Sequence, residues 1–173
     1  MPLHPYLVFI ILLVLASMPA SATSRMGEAE VITEAGLPCF KIADEEERKR
    51  GRTSLKMLII SEKSTGGWQD IWAVRFPNAS FGDPDYRLPK NACIRYGHAP
   101  AGVEASDARP LRQNTIYSVF FMGRPPSGSD PTSRYGTQFC VLATATDGLR
   151  AVQLTHDTST SMDPDCARHA PPK

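Results

Sequence analysis

The sequence predicts an all-β fold, an antiparallel β-sandwich of six to seven strands with at most one short helical turn. Three observations carry that expectation. Several short runs are rich in β-branched and aromatic residues and are free of breakers. Segments rich in Pro and Gly separate these runs. No amphipathic stretch of roughly ten residues or more lies between them, so parallel βαβ units are not expected.

The strands follow in order. Residues 55–61 (Leu-Lys-Met-Leu-Ile-Ile-Ser) form a short apolar run. Residues 71–76 place Trp72, Val74 and Phe76 on one face at a period of two, and Trp68 shares that parity if the strand reaches back to it. Residues 91–96 carry Cys93 within a strand-like segment, and residues 116–121 (Ile-Tyr-Ser-Val-Phe-Phe) contain no breaker. Residues 139–145 and 150–154 flank Thr146, Asp147, Gly148 and Leu149. Asp-Gly between two such runs signals a hairpin, because both central turn positions favour positive φ. Short strands with frequent turns suggest a sandwich or a barrel, and the expectation taken forward is a sandwich of immunoglobulin-like or similar topology.

Residues 44–51 supply the one helical turn. Asp44 is placed to cap it, Glu47 stands three residues on, and Gly51 can end it. Asp44 with Arg48, Glu45 with Lys49 and Glu46 with Arg50 are acid-before-base pairs at i,i+4, the favourable order. Residues 99–113 and 123–134 are long polar loops, and residues 155–173 are polar and rich in Pro.

The chain begins with an uncharged apolar run over residues 7–16, too short for the roughly twenty residues that span a bilayer. It is followed by Ala20, Ser21 and Ala22, a small-x-small pattern. Together they read as a secretory signal peptide cleaved after Ala22. No Cys stands at that junction, so a lipid anchor is not expected. The organisation is then a signal peptide over 1–22, a lead-in over 23–36, a β-sandwich domain over 37–155 and a polar tail over 156–173. No later segment is apolar enough for a stable membrane span. The formal net charge is +1, which offers no basic face of the kind nucleic acid requires.

All four cysteines, Cys39, Cys93, Cys140 and Cys166, lie beyond the leader. An even count in an exported chain reads as a disulfide set. Four cysteines allow three pairings, and spacing does not choose among them. Metal ligation is not expected, because no two of them stand in a C-x-x-C arrangement.

No constellation for catalysis emerges. His98, His156 and His169 are scattered through loops and tail, and oxidised cysteines cannot act as nucleophiles. There is no nucleophile elbow, and Ser64, Thr65, Gly66 and Gly67 lack the ending of a phosphate-binding loop. Catalytic residues, cofactor-binding residues and cofactors are therefore all expected to be none, and the protein is not expected to be an enzyme. Asn78, Ala79 and Ser80 form a glycosylation sequon. Trp72 reads as core, whereas Trp68 reads equally as core or as an interface anchor. The charged run 44–52 reads as a solvated edge or as an electrostatic docking patch.

Several segments together resemble one family. They are Leu37-Pro38-Cys39-Phe40, Asp44-Glu45-Glu46-Glu47, Ile60-Ser61-Glu62-Lys63, Trp68 with Trp72, Asn91-Ala92-Cys93-Ile94-Arg95-Tyr96-Gly97, Ile116-Tyr117-Ser118-Val119 and Phe139-Cys140-Val141. The set, over residues 36–154, resembles the type VI secretion immunity periplasmic lipoproteins of Gram-negative bacteria. The resemblance implies an exported periplasmic protein that binds a secreted effector toxin and neutralises it by stoichiometric protein binding. It implies no cofactor and no catalytic residue. The alternative is a generic envelope binding module, such as a lysozyme-inhibitor-like or ligand-carrying β-barrel. An envelope hydrolase would require acid, base and nucleophile clustered near His98 and His156.

Overall fold

A computed structural model describes residues 25–77, 85–126, 132–143, 148–154 and 166. The expected leader with Ala22, the sequon at Asn78, the Asp147 turn position, His156 and His169 lie outside these residues. Nine strands and one helix are present among the described residues. They are β1 (Met26–Glu34), β2 (Leu37–Ile42), α1 (Asp44–Arg50), β3 (Ser54–Ser64), β4 (Gly67–Arg75), β5 (Ile94–Arg95), β6 (Glu104–Ala105), β7 (Thr115–Arg124), β8 (Arg134–Ala143) and β9 (Leu149–Leu154). The all-β expectation holds, with more strands than six or seven.

The strands form one mixed sheet rather than two packed sheets. Its order is β5-β2-β1-β8-β7-β3-β4-β6, with β9 attached to β8. Two features depart from an antiparallel sandwich. First, β7 runs for ten residues and pairs along its length with β3 on one side and β8 on the other, so nothing breaks the sheet in two. Second, Met26–Glu28 of β1 pairs in parallel with Arg134–Gly136 of β8. That edge of β8 is shared, because Gln138–Ala143 pairs with β9 in antiparallel register.

The sheet forks where β1 leaves β8. Side chains bridge the gap to β9: Val31 N–H donates to Gln153 Oε1 at 2.9 Å, and Ala151 N–H donates to Thr33 Oγ1 at 3.0 Å. These bonds satisfy backbone groups that would otherwise be left at an open edge.

The sheet curls into a half-barrel. Trp72 of β4 meets Tyr96, just after β5, edge-on at 5.2 Å, although β4 and β5 lie near opposite ends of the strand order. Phe139 of β8 packs against Phe40 of β2 and Tyr117 of β7, each at 5.4 Å. Pairs at such distances contribute about 0.5–1.5 kcal/mol beyond their buried area. Large side chains therefore fill the inside of the curl, including Trp72, Tyr117, Phe40, Phe121 and Phe139, all essentially inaccessible. A second, smaller cluster on β7, β8 and β9 joins Ile116, Cys140 and Leu154 to Cys166.

Residues 26–34, expected as a lead-in, are part of the sheet. Ala29 and Val31 alternate into the core. β1 and β2 are joined by Ala35 and Gly36, with φ of 49° and 74°, a two-residue turn with both central angles positive. The segment 91–96 yields only the two-residue β5, and Cys93 lies just outside it.

A bulge decides the fate of Trp68. Ile60 pairs with Trp72 and Ser61 with Asp70, which leaves Ile71 as an extra residue in β4. Trp72, Val74 and Phe76 are buried as the pattern predicts. Past the bulge the parity reverses and the β3–β4 hairpin extends beyond the core, leaving Trp68 45% exposed.

Candidate functional site

The four cysteines form Cys39–Cys93 and Cys140–Cys166, with Cα separations of 5.5 and 5.7 Å. No cysteine is free, and Cys166 is buried against β8. Two such bridges indicate folding in an oxidising, extracytoplasmic compartment. No helix among the described residues is long and apolar enough to cross a membrane. The Glu34 carboxylate lies 3.2 Å from the sulfurs of both Cys39 and Cys93. Because those sulfurs are bonded to each other, they offer no thiolate to an ion beside Glu34.

The 44–52 run folds as α1 and its exit, and it divides its charges three ways. Glu46 turns inward with only 7% of its side chain exposed, and it pairs with Arg25 at 2.8 Å and with Arg50. Arg50 also donates to Thr132 Oγ1 at 3.3 Å. A buried carboxylate with two guanidinium partners pegs the helix to the sheet, a role that a wholly solvated edge would not have. Glu45 pairs with Lys49 in solvent at 2.6 Å. The remaining face presents Asp44, Glu47 and Arg48.

The cap differs from expectation. Ala43 is the N-cap, without a side-chain cap bond, and Gly51 ends the helix at φ 79° with its N–H donating to Glu47 O at 2.8 Å. Asp44 is instead drawn to Lys41 Nζ at 2.9 Å, so the expected Asp44–Arg48 pair is replaced. Lys41 also reaches Glu30 at 3.2 Å. Partial burial lowers the Lys41 pKa, but these two carboxylates outweigh it and hold the ammonium above its ordinary range.

The outer face of α1 forms one wall of a cleft of about 600 Å³, lined by Asp44, Glu47, Arg48, Arg52, Lys90 and Asn91. The opposite wall is the turn before β5, where Ala92 N–H donates to Pro89 O at 3.1 Å and Asn91 adopts a left-handed φ of 63°. Cys93 then fastens this turn to β2 through Cys39. Each wall is thus fixed by its own device, an ion-pair peg and a disulfide. Burial pushes the Glu47 carboxyl above its ordinary range, although the Thr53 N–H and Arg52 favour its charge. Arg48, Arg52 and Lys90 have no ion pair or side-chain hydrogen bond among the described residues.

Residues 99–113 are strapped to the sheet rather than free. Ser106 exchanges two bonds with Ala73, each of 2.9 Å, and Arg109 N–H donates to Ile71 O at 3.2 Å. Tyr96 OH donates to Arg109 O at 2.6 Å. Arg112 clamps Glu62 through two contacts of 2.8 Å, and its N–H donates to Tyr117 OH at 2.7 Å. The second expected loop, residues 123–134, gives its two ends to β7 and β8, while residues 127–131 lie outside the described set.

His98 is exposed on a turn. Of the cleft residues, Lys90 lies in no segment that the sequence marks, and Asn91 enters only as the first residue of the 91–96 run that carries Cys93. No protein-family model matches this chain, and neither a curated protein nor a solved structure matches it.

Proposed function

We propose that this chain acts by contact rather than by chemistry, as an exported periplasmic protein that binds a secreted effector toxin stoichiometrically and so neutralises it. The observation that carries this reading is the charged cleft between α1 and the Asn91 turn, whose walls are held stiff by the Glu46 ion pairs and the Cys39–Cys93 bridge. A rigid surface binds with little ordering cost. Cations at its rim that have no ion pair among the described residues favour encounter with an oppositely charged partner. The packed interior of the curl, filled by Trp72, Tyr117 and Phe139, supports an external contact surface over a ligand-carrying barrel.

The test is direct. The disulfide-bonded chain, lacking its leader, is immobilised and exposed to the secreted fraction of the organism that carries its gene, and retained proteins are identified by mass spectrometry. A secreted effector retained in stoichiometric amount, whose toxicity is abolished by exporting this chain in the target cell, is the expected result. Unaltered toxicity of every retained effector would refute the proposal.

A further inference from the structure

We infer that the cleft between α1 and the Asn91 turn is a receptor for an acidic peptide segment, whose side-chain carboxylates dock on Arg48, Arg52 and Lys90. The inference rests on the contact reading above and names the chemistry of the partner at that surface.

The sign of the ligand follows from how the cleft charges are already spent. Two acids line the cleft, and both are engaged within the protein. Asp44 is held by Lys41 at 2.9 Å. Glu47 is partly buried and accepts the Thr53 N–H, with Arg52 close enough to favour its ionised form. The three cations are exposed and lack ion-pair partners among the described residues. What the cleft leaves unsatisfied is therefore positive. The two guanidinium groups can fork onto carboxylates, and the ammonium can join them as a point charge.

Size and company select a peptide. A cleft of about 600 Å³ lies within the usual range for a bound ligand and exceeds what a single small anion fills. A nucleic acid strand is disfavoured because Asp44 and Glu47 stand among the cations and would repel a continuous line of phosphates. A segment with spaced carboxylates can place its charges on the three cations and its backbone past the acids. Asn91, with its exposed amide, supplies a donor or acceptor for that backbone.

The probe is a fluorescein-labelled hexaglutamate peptide, with hexaglutamine and hexalysine as comparisons, read by anisotropy on the disulfide-bonded chain lacking its leader. Hexaglutamate alone should bind, and its affinity should fall steeply with salt. The combined variant Arg48→Gln, Arg52→Gln and Lys90→Gln should weaken it by roughly tenfold or more. A control that neutralises Arg75, Arg124 and Arg134, which are exposed and do not line the cleft, should change it by less than roughly twofold. Circular dichroism of both variants guards against misfolding. Equal binding to the two variants would overturn the inference, as would displacement of the peptide by inorganic phosphate at equivalent charge, which marks a small-anion site. An effector retained equally by the parent and the cleft variant sinks this inference and leaves the contact reading intact. Hexaglutamate binding at the cleft without any effector neutralised does the reverse.

Discussion

Replacing both Cys140 and Cys166 by Ala should cost roughly 3.5 kcal/mol, and replacing both Cys39 and Cys93 by Ala roughly 4 kcal/mol. The figures follow from the loops each bridge closes, with sequence separations of 26 and 54 residues. Crosslinking removes denatured-state entropy that grows with the logarithm of loop length, so doubling the loop adds only about 0.6 kcal/mol. The two pairs should nevertheless fail differently. Cys166 covers Ile116 and Leu154 from outside the sheet, so its release uncovers that satellite cluster while the main core stays packed. Cys93 holds the Asn91 turn, so opening its bridge should loosen the cleft wall as well as the whole domain. Guanidinium unfolding followed by the fluorescence of buried Trp72 gives both stabilities, and hexaglutamate affinity reports the cleft. A loss below about 1 kcal/mol for either pair would refute the chain-entropy argument. Unchanged hexaglutamate affinity without the Cys39–Cys93 bridge would refute the claim that this bridge stiffens the cleft.

Other perturbations test the packing. Trp72→Ala should cost about 3–5 kcal/mol, because the side chain is buried against Tyr96, whereas Trp68→Ala beyond the bulge should stay within about 0.5 kcal/mol. Equal losses in urea unfolding would contradict the reversed parity of the β4 end. Gly123→Ala should destabilise by about 1–3 kcal/mol, since a Cβ there would lie 2.7 Å from Ser54 O and 2.6 Å from Thr53 Cγ2. A thermal midpoint equal to that of the parent would show that β3 can yield at its bulge opposite this glycine. Glu47 carries a pH signature. Burial raises its pKa in the folded chain, so the folded state holds this proton more tightly than the unfolded state and loses stability as pH rises from the ordinary carboxylate range through the raised value. Glu47→Gln should therefore raise the melting temperature in neutral buffer and leave it unchanged below that range. An equal gain at both pH values would assign the effect to something other than ionisation.

Much of the sheet was legible in the residues because strand signals are local. The runs at 55–61, 71–76, 116–121, 139–145 and 150–154 correspond to β3, β4, β7, β8 and β9. The hairpin expected around Gly148 appears as the antiparallel pairing of β8 with β9. The helix was legible from its acid-before-base pairs, two of which form. β1 was not read because inward Gly27 and outward Ile32 leave its apolar and polar alternation only four residues long, from Glu28 to Val31. β2 was not read because Pro38 lacks the N–H that a ladder uses and Lys41 cuts the apolar run short. β6 has only two residues and no pattern to read.

By itself the sequence determined the all-β character, the short helix after β2, the core role of Trp72, Val74 and Phe76, and the presence of four cysteines in a chain with an expected leader. These depend on side-chain period, breakers and composition, which act over a few neighbouring residues. Tertiary structure alone decided the single curled sheet, the parallel β1–β8 pairing, the partners of each cysteine, the outward turn of Trp68 and the inward turn of Glu46. It also brought α1 and the Asn91 turn, more than forty residues apart, to the two sides of one cleft. Pairing between distant strands is set by which edges and faces remain unsatisfied once the whole chain is compact, and a one-residue bulge reverses every side chain beyond it, so no local pattern encodes either.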